Sequence, residues 1–248
     1  MKSPLSFAAL CVSAVLSLPS LAQDKSAFTP AQRDELGKFI REYLVKNPEV
    51  LTEAIEALQA KEEAKREDQR KATIAMYKTE LYNPAEATYL GNPKGDVTIV
   101  EFFDYNCGYC KSMFTTMIDA VNADGKIKWV LKEFPILGPT SVTAAKAALA
   151  ARRQNKYAEF HQAMITFKGQ VNEVSITAVA KNVGMDIAKM QADMKDPEFD
   201  KLLDQTREIA KEMGISGTPA MLVGDAFVGG AVDRDTLEDL IAQARKKG

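Results

Sequence analysis

The period at which apolar residues recur changes along this chain, and the changes divide it. From Thr29 to Leu58 the spacing is helical. Leu36, Phe39, Ile40, Tyr43 and Leu44 fall on one face, and Val50, Leu51, Ala54, Ile55 and Leu58 on a second. Thr29-Pro30-Ala31-Gln32 reads as a capping box with proline at the first helical position, and Asn47, before Pro48, as the N-cap of the second helix. Two short amphipathic helices cannot close a core between themselves, so both stripes need a partner, either the rest of the chain or further copies of it. Residues 61–71 (KEEAKREDQRK) have only Ala64 as an apolar member. They predict a solvated helix laced by i,i+4 pairs, or a spacer. Asn83-Pro84 and Gly91-Asn92-Pro93-Lys94-Gly95 end this helical part.

The pattern then becomes mixed. Residues 97–103 predict a buried strand, 110–121 a helix behind it, and 127–134 (IKWVLKEF) a second strand. A helical stretch from about 141 to 213 breaks near Asn155, Gly169, Gly184 and Pro197. Ala220-Met221-Leu222-Val223, a Gly-Asp turn and Ala226-Phe227-Val228 form a hairpin, and a helix from Asp233 to Lys246 closes the chain. The order β-α-β, helices, β-β-α predicts an α/β protein. It is a thioredoxin fold with a helical domain inserted after the second central strand, preceded by an N-terminal helical oligomerisation segment.

Charge narrows the functions. Lys and Arg number 32 against 34 Asp and Glu, so nothing favours nucleic acid or an anionic membrane as partner. Residues 1–22 read as a secretory signal: Lys2, an apolar run from Phe7 to Leu18, then Ser20-Leu21-Ala22 before cleavage. Cys11 lies in that run as an apolar residue that is lost with it. The expected division is a signal at 1–22, an oligomerisation region and charged linker at 23–84, and a catalytic domain at 85–248. Export places the protein in a disulfide-permissive compartment, the periplasm.

The chemistry concentrates at Cys107-Gly108-Tyr109-Cys110, where the first strand gives way to a helix. The helix N-terminus stabilises a thiolate on the first cysteine, and the second lies close enough to form a disulfide with it. A zinc site usually takes four Cys or His ligands, and beyond Cys11 the chain offers only these two cysteines and His161, so no metal is expected there. A purely structural disulfide would restrict so short a loop only modestly. His161 reads as a structural or surface residue and not a catalytic one. Met113 and Met117, i,i+4 on the helix, read as core, although methionine with thiolate also suits Cu(I).

Residues 85–248 resemble the DsbA-like thioredoxin family. The resemblance rests on Glu101-Phe102-Phe103-Asp104-Tyr105 before the CGYC, on Phe134-Pro135-Ile136-Leu137-Gly138, and on Gly214-Ile215-Ser216-Gly217-Thr218-Pro219. With the N-terminal helices, the chain is most similar to the oligomeric ScsC-type (suppressor of copper sensitivity) disulfide isomerases. The resemblance implies that Cys107 is an exposed nucleophilic thiolate and that Cys110, deeper in the helix, resolves the mixed disulfide. Gly108 and Tyr109 tune the thiolate; strongly oxidising relatives carry histidine at the position of Tyr109. Glu101 becomes a semi-buried carboxylate exchanging protons with Cys110; the residues alone also allow a salt-bridged edge position. Pro219 is expected to be cis and to face Cys107, with the Thr218 backbone pairing the client peptide, and threonine there resembles the isomerases.

These features point to a periplasmic disulfide isomerase or reductase, a homodimer or homotrimer. It would act on cysteine-containing client proteins and be kept reduced by a membrane-bound thiol reductase, with no cofactor beyond the redox pair itself. A monomeric dithiol oxidase of the same fold and a copper-binding chaperone using the two thiolates are the alternatives.

Overall fold

The computed structural model describes residues 28–84 and 88–247. The expected signal at 1–22 lies outside them. The chain divides between Leu58 and Gln59 into two compact units.

The first unit holds α1 (Pro30–Lys46) and the start of α2 (Glu49–Met76). Thr29 Oγ1 accepts from Gln32 N at 3.3 Å and Gln32 Oε1 from Thr29 N at 2.9 Å, closing the expected capping box with Pro30 in the first turn. Asn47 departs from expectation. Its backbone N–H and its carboxamide both donate to Tyr43 O at 2.8 Å, so it closes α1 instead of opening α2. A carboxamide that satisfies a terminal carbonyl competes with its use as an N-cap. No residue of α1 is buried, and Leu36, Phe39, Ile40 and Tyr43 form an exposed apolar stripe, with Phe39 and Tyr43 stacked at 6.3 Å.

The second unit begins upstream of the boundary expected near residue 84. The reason is that the later part of α2 and α3 (Lys78–Tyr82) belong to its core, where Ile74 and Leu81 are buried. The charged run is helical and laced by Arg70–Glu67 and Lys71–Glu67 pairs, and Arg70 also lies 4.4 Å over the Phe227 ring. Lys128 Nζ donates to Tyr82 O and Lys132 Nζ to Glu80 O, which satisfies carbonyls at the end of α3. Leu81→Ala should therefore cost about 3 kcal/mol, read as a lower urea midpoint with unchanged slope.

Five strands form one sheet in the order β1-β3-β2-β4-β5: β1 (Tyr89–Gly91), β2 (Val97–Phe103), β3 (Ile127–Glu133), β4 (Ala220–Val223) and β5 (Ala226–Gly229). β2 and β3 run parallel from Val97 opposite Ile127 to Phe103 opposite Glu133, and the other pairs are antiparallel. α4 (Gly108–Asp124) makes the crossover. α5 (Pro139–Arg153), α6 (Tyr157–Ile165), α7 (Glu173–Asn182), α8 (Ile187–Asp193) and α9 (Pro197–Glu212) form the insertion, and α10 (Arg234–Lys247) ends the chain. β1 is the one strand not expected, because three residues are too few for an alternation to show. Its Gly91 sits at φ 75° and a Cβ there would lie 2.5 Å from Ile127 O, so only glycine lets this edge approach β3.

Alternation along β2 builds two cores. Val97, Ile99 and Phe103 face α4 and the insertion, while Val100 and Phe102 face Ile74, Leu81, Ile209 and Met213. Glu101 shares the first face, toward α4.

Candidate active site

β2 ends at Phe103, and a tight turn delivers Cys107 to the N-cap of α4. Asp104 makes that turn. Its Oδ1 accepts from Asn106 N at 2.8 Å, its carbonyl accepts from Cys107 N, and its Oδ2 accepts from Ile136 N and Leu137 N at 2.8 and 2.9 Å. Asn106 Nδ2 donates to Thr140 Oγ1 and Ser141 Oγ at the start of α5. Two short polar residues thus tie the approach to Cys107 to the 136–141 segment. In the sequence Asn106 has no marked role, and Asp104 figures only as part of the motif that carries the resemblance. An Asp-x-Asn between strand and helix is the turn signal that marks them.

Cys107 Sγ accepts from Cys110 N at 3.3 Å and donates to Thr218 O at 3.2 Å. Both cysteines are unbridged. The Cys110 thiol donating to Cys107 lowers the Cys107 thiol to about 5, against burial, with help from Thr218 and the backbone N–H groups of Cys110 and Tyr109. The same hydrogen bond, followed by burial and the Glu101 charge, pushes the Cys110 thiol far up. The two thiols are thus set far apart in acidity, Cys107 giving up its proton well before Cys110. Contrary to the expected exposure, Cys107 is only 5 % exposed, because its sulfur is held between the start of α4 and the Thr218 carbonyl. Tyr109, at 72 %, and Gly108 are the exposed members of the motif, and a Cβ at Gly108 would meet open space.

The Thr218–Pro219 peptide is cis. Thr218 Oγ1 is buried without a hydrogen-bond partner. Glu101 lies opposite Leu131 and Met221 in the middle of the sheet, 3 % exposed, which excludes the edge position. Its partner is not a cation: Trp129 Nε1 donates to Oε2 at 3.0 Å. Burial pushes the Glu101 carboxyl up to about 8, the indole N–H pulls it back, and the Cys107 charge adds to the rise. Trp129 was not picked out either, since a tryptophan in an apolar strand looks like any other core residue.

His161 is structural, as expected. It is buried among Phe103, Tyr105, Phe114, Trp129 and Tyr157, with Nδ1 3.0 Å from Tyr105 Oη, and burial pushes it down to about 3. Tyr105 and Tyr157 both donate to Glu133 Oε1, and burial raises that carboxyl well above its usual range. Met113 and Met117 are core. Among the described residues no three His, Cys, Asp or Glu side chains form a group able to hold a metal, and no helix is long and apolar enough to cross a membrane.

Residues 98–242 match the DSBA-like thioredoxin domain, and residues 32–65 the copper resistance protein ScsC N-terminal domain. A thioredoxin-like oxidoreductase of Silicibacter pomeroyi DSS-3 superposes with a TM-score of 0.66 at 44 % identity, over 68 % of this chain and 97 % of that one. Proteus mirabilis ScsC superposes with a TM-score of 0.66 at 30 % identity, over 89 % of this chain and all of that one, 100 %. The chain also matches sodium/proton antiporters. The NhaA 1 protein of Salinispora arenicola is 22 % identical over 62 % of this chain, and the chain spans only 24 % of that protein's length. With a family model matched over more than half of the chain, and a fold shared with these oxidoreductases, this chain belongs to the DsbA-like thioredoxin family.

Proposed function

We propose that this protein is a periplasmic thiol–disulfide oxidoreductase working as a disulfide isomerase or reductase in a homo-oligomer. One observation carries the chemistry: Cys107 Sγ sits at the start of α4 against the Cys110 backbone N–H, and Glu101 is buried on the strand that leads into that helix. Cys107 Sγ attacks one sulfur of a client disulfide, forming a mixed disulfide and releasing the other client sulfur as a thiolate. That thiolate attacks a second client disulfide, and the client thiolate set free there attacks the client sulfur of the mixed disulfide. The Cys107–client bond breaks, Cys107 leaves as a thiolate, and the client is isomerised with no net redox change. Alternatively, Cys110 gives its proton to Glu101 and attacks Cys107 Sγ. The Cys107–Cys110 bond forms, the client leaves with two electrons as a thiolate, and a membrane-bound thiol reductase must restore the pair.

The low Cys107 value stabilises the reduced pair, the form that attacks disulfides. Thr218 offers a carbonyl at Cys107 where an extended client segment can add as a strand. The exposed stripe of α1 and the likeness to ScsC support assembly with further copies, and residues 1–22 support export. The test is reactivation of scrambled ribonuclease by the reduced full-length chain, with mass read by light scattering. An oligomer that restores activity supports the proposal. A monomer that oxidises reduced ribonuclease yet leaves the scrambled form unchanged would establish a dithiol oxidase instead.

The pair of thiols favours a second reading as a Cu(I) carrier, since thiolates suit that ion. Cys110, held protonated, would have to lose its proton to Cu(I), and Met113 and Met117 are occupied in the core.

A further inference from the structure

The buried carboxyl is held by a residue from a different strand. β2 and β3 run parallel with Ile99 opposite Trp129 and Glu101 opposite Leu131, so Glu101 and Trp129 sit diagonally on the face that packs on α4. The indole is itself fixed from two helices. Phe114 of α4 lies against it at 5.7 Å, and His161 of α6 meets it edge-on at 6.4 Å. His161 is in turn held by Tyr105, whose hydroxyl donates to Glu133. The indole N–H has one acceptor, Glu101 Oε2, and both groups are buried from water.

We propose that Trp129 is a positioning residue of thiol exchange: by anchoring Glu101 Oε2 it orients the carboxylate so that the other oxygen takes the Cys110 proton. The inference rests on the exchange chemistry proposed above. A buried carboxylate with no donor would be costly and free to turn about its side-chain bonds, whereas one charge-assisted hydrogen bond both stabilises the base and fixes its direction. The groups facing Glu101 are few. Cys107 and Cys110 approach from the start of α4 and Trp129 from β3, Met221 opposite in β4 is uncharged, and His161 lies behind the indole in its neutral form. In the resolving step the Cys110 S–H bond breaks and the proton goes to Glu101. The Cys110–Cys107 disulfide forms, and the client sulfur leaves as a thiolate.

The experiment follows release of glutathione from the Cys107 mixed disulfide by quenched flow and mass spectrometry across pH, in wild type, Trp129→Phe, Glu101→Gln and the double variant. In wild type the release rate should break somewhat below pH 8, where Glu101 loses its proton, because the mixed disulfide removes the Cys107 charge that helps raise it. Trp129→Phe keeps an aromatic ring but removes the donor. It should move the break upward and slow release at neutral pH by about tenfold. In the Glu101→Gln background the same change should alter the rate by less than about twofold, because the two residues act as a unit. A wild-type break unmoved in Trp129→Phe, or an equal loss in both backgrounds, overturns the proposal.

A second measurement needs no variant at Trp129. As the sole tryptophan, its emission in the reduced protein should titrate with a midpoint near pH 8, and Glu101→Gln should abolish that titration. Emission that is flat through this range overturns the proposal. A wild type that releases no glutathione would instead sink the exchange chemistry, while the titration still decides whether Trp129 reports on Glu101.

Discussion

Cys107→Ser should abolish exchange with client disulfides, a loss of about a thousandfold or more, because a serine hydroxyl at neutral pH cannot replace a thiolate in attack on sulfur. The pH dependence sharpens this expectation. Alkylation of Cys107 in the wild type should follow a midpoint near pH 5, against about 8.5 for an ordinary thiol. Cys110→Ala should move that midpoint upward, since the Cys110 thiol is the largest cause of the depression. The stability of the reduced protein follows the same sign. A depressed thiol stabilises the folded state fully above its unfolded value, progressively less as pH falls, and not at all below about pH 5. The urea midpoint of the reduced form should therefore fall across that window. The disulfide form, which has no thiolate to lose, should not show this component. Equal pH profiles for the two forms would contradict a Cys107 thiolate.

Phe39→Asp should turn an oligomer into a monomer. Phe39 is 64 % exposed in the middle of the α1 stripe, beside Leu36, Ile40 and Tyr43. An apolar face of this kind gains stability only by burial, and a carboxylate placed at its centre would have to be desolvated without a partner. Loss of one central apolar anchor typically costs 2 kcal/mol or more, or about thirtyfold in association. Light scattering should show the drop in mass. Reactivation of scrambled ribonuclease should fall with it, while reduction of a small disulfide peptide stays within about twofold, because the Cys107 site lies in the other compact unit. A variant that remains an oligomer would exclude this stripe as the interface. A monomer that still reactivates ribonuclease at the full rate would separate isomerisation from assembly.

Local signals carried most of the architecture. β2 and β3 fall at Val97–Phe103 and Ile127–Glu133, against expected spans of 97–103 and 127–134, because long apolar runs between turn residues mark buried strands at both ends. The breaks near Asn155, Gly169, Gly184 and Pro197 separate α5 to α9, with Asn155 and Gly184 in left-handed backbone that interrupts a helix. At Asn47 the local signal is ambiguous, because a carboxamide beside proline can close one helix as well as open the next. Local pattern does not separate Ile74 and Leu81 from the helices before them, because their anchoring depends on strands far along the chain.

By itself, the sequence determined which of the two thiols sits at a helix start, where a thiolate is stabilised, and that the N-terminal stripes need a partner. Both follow from spacings within one or two helical turns, where backbone geometry leaves little freedom. Only the tertiary structure decided what surrounds that sulfur. Thr218 O reaches Cys107 from 111 residues away, Trp129 meets Glu101 across 28, and Asp104 collects the amides of Ile136 and Leu137. Each of these contacts depends on strand order and register, which arise when the two faces of the sheet are buried together and which no local pattern encodes.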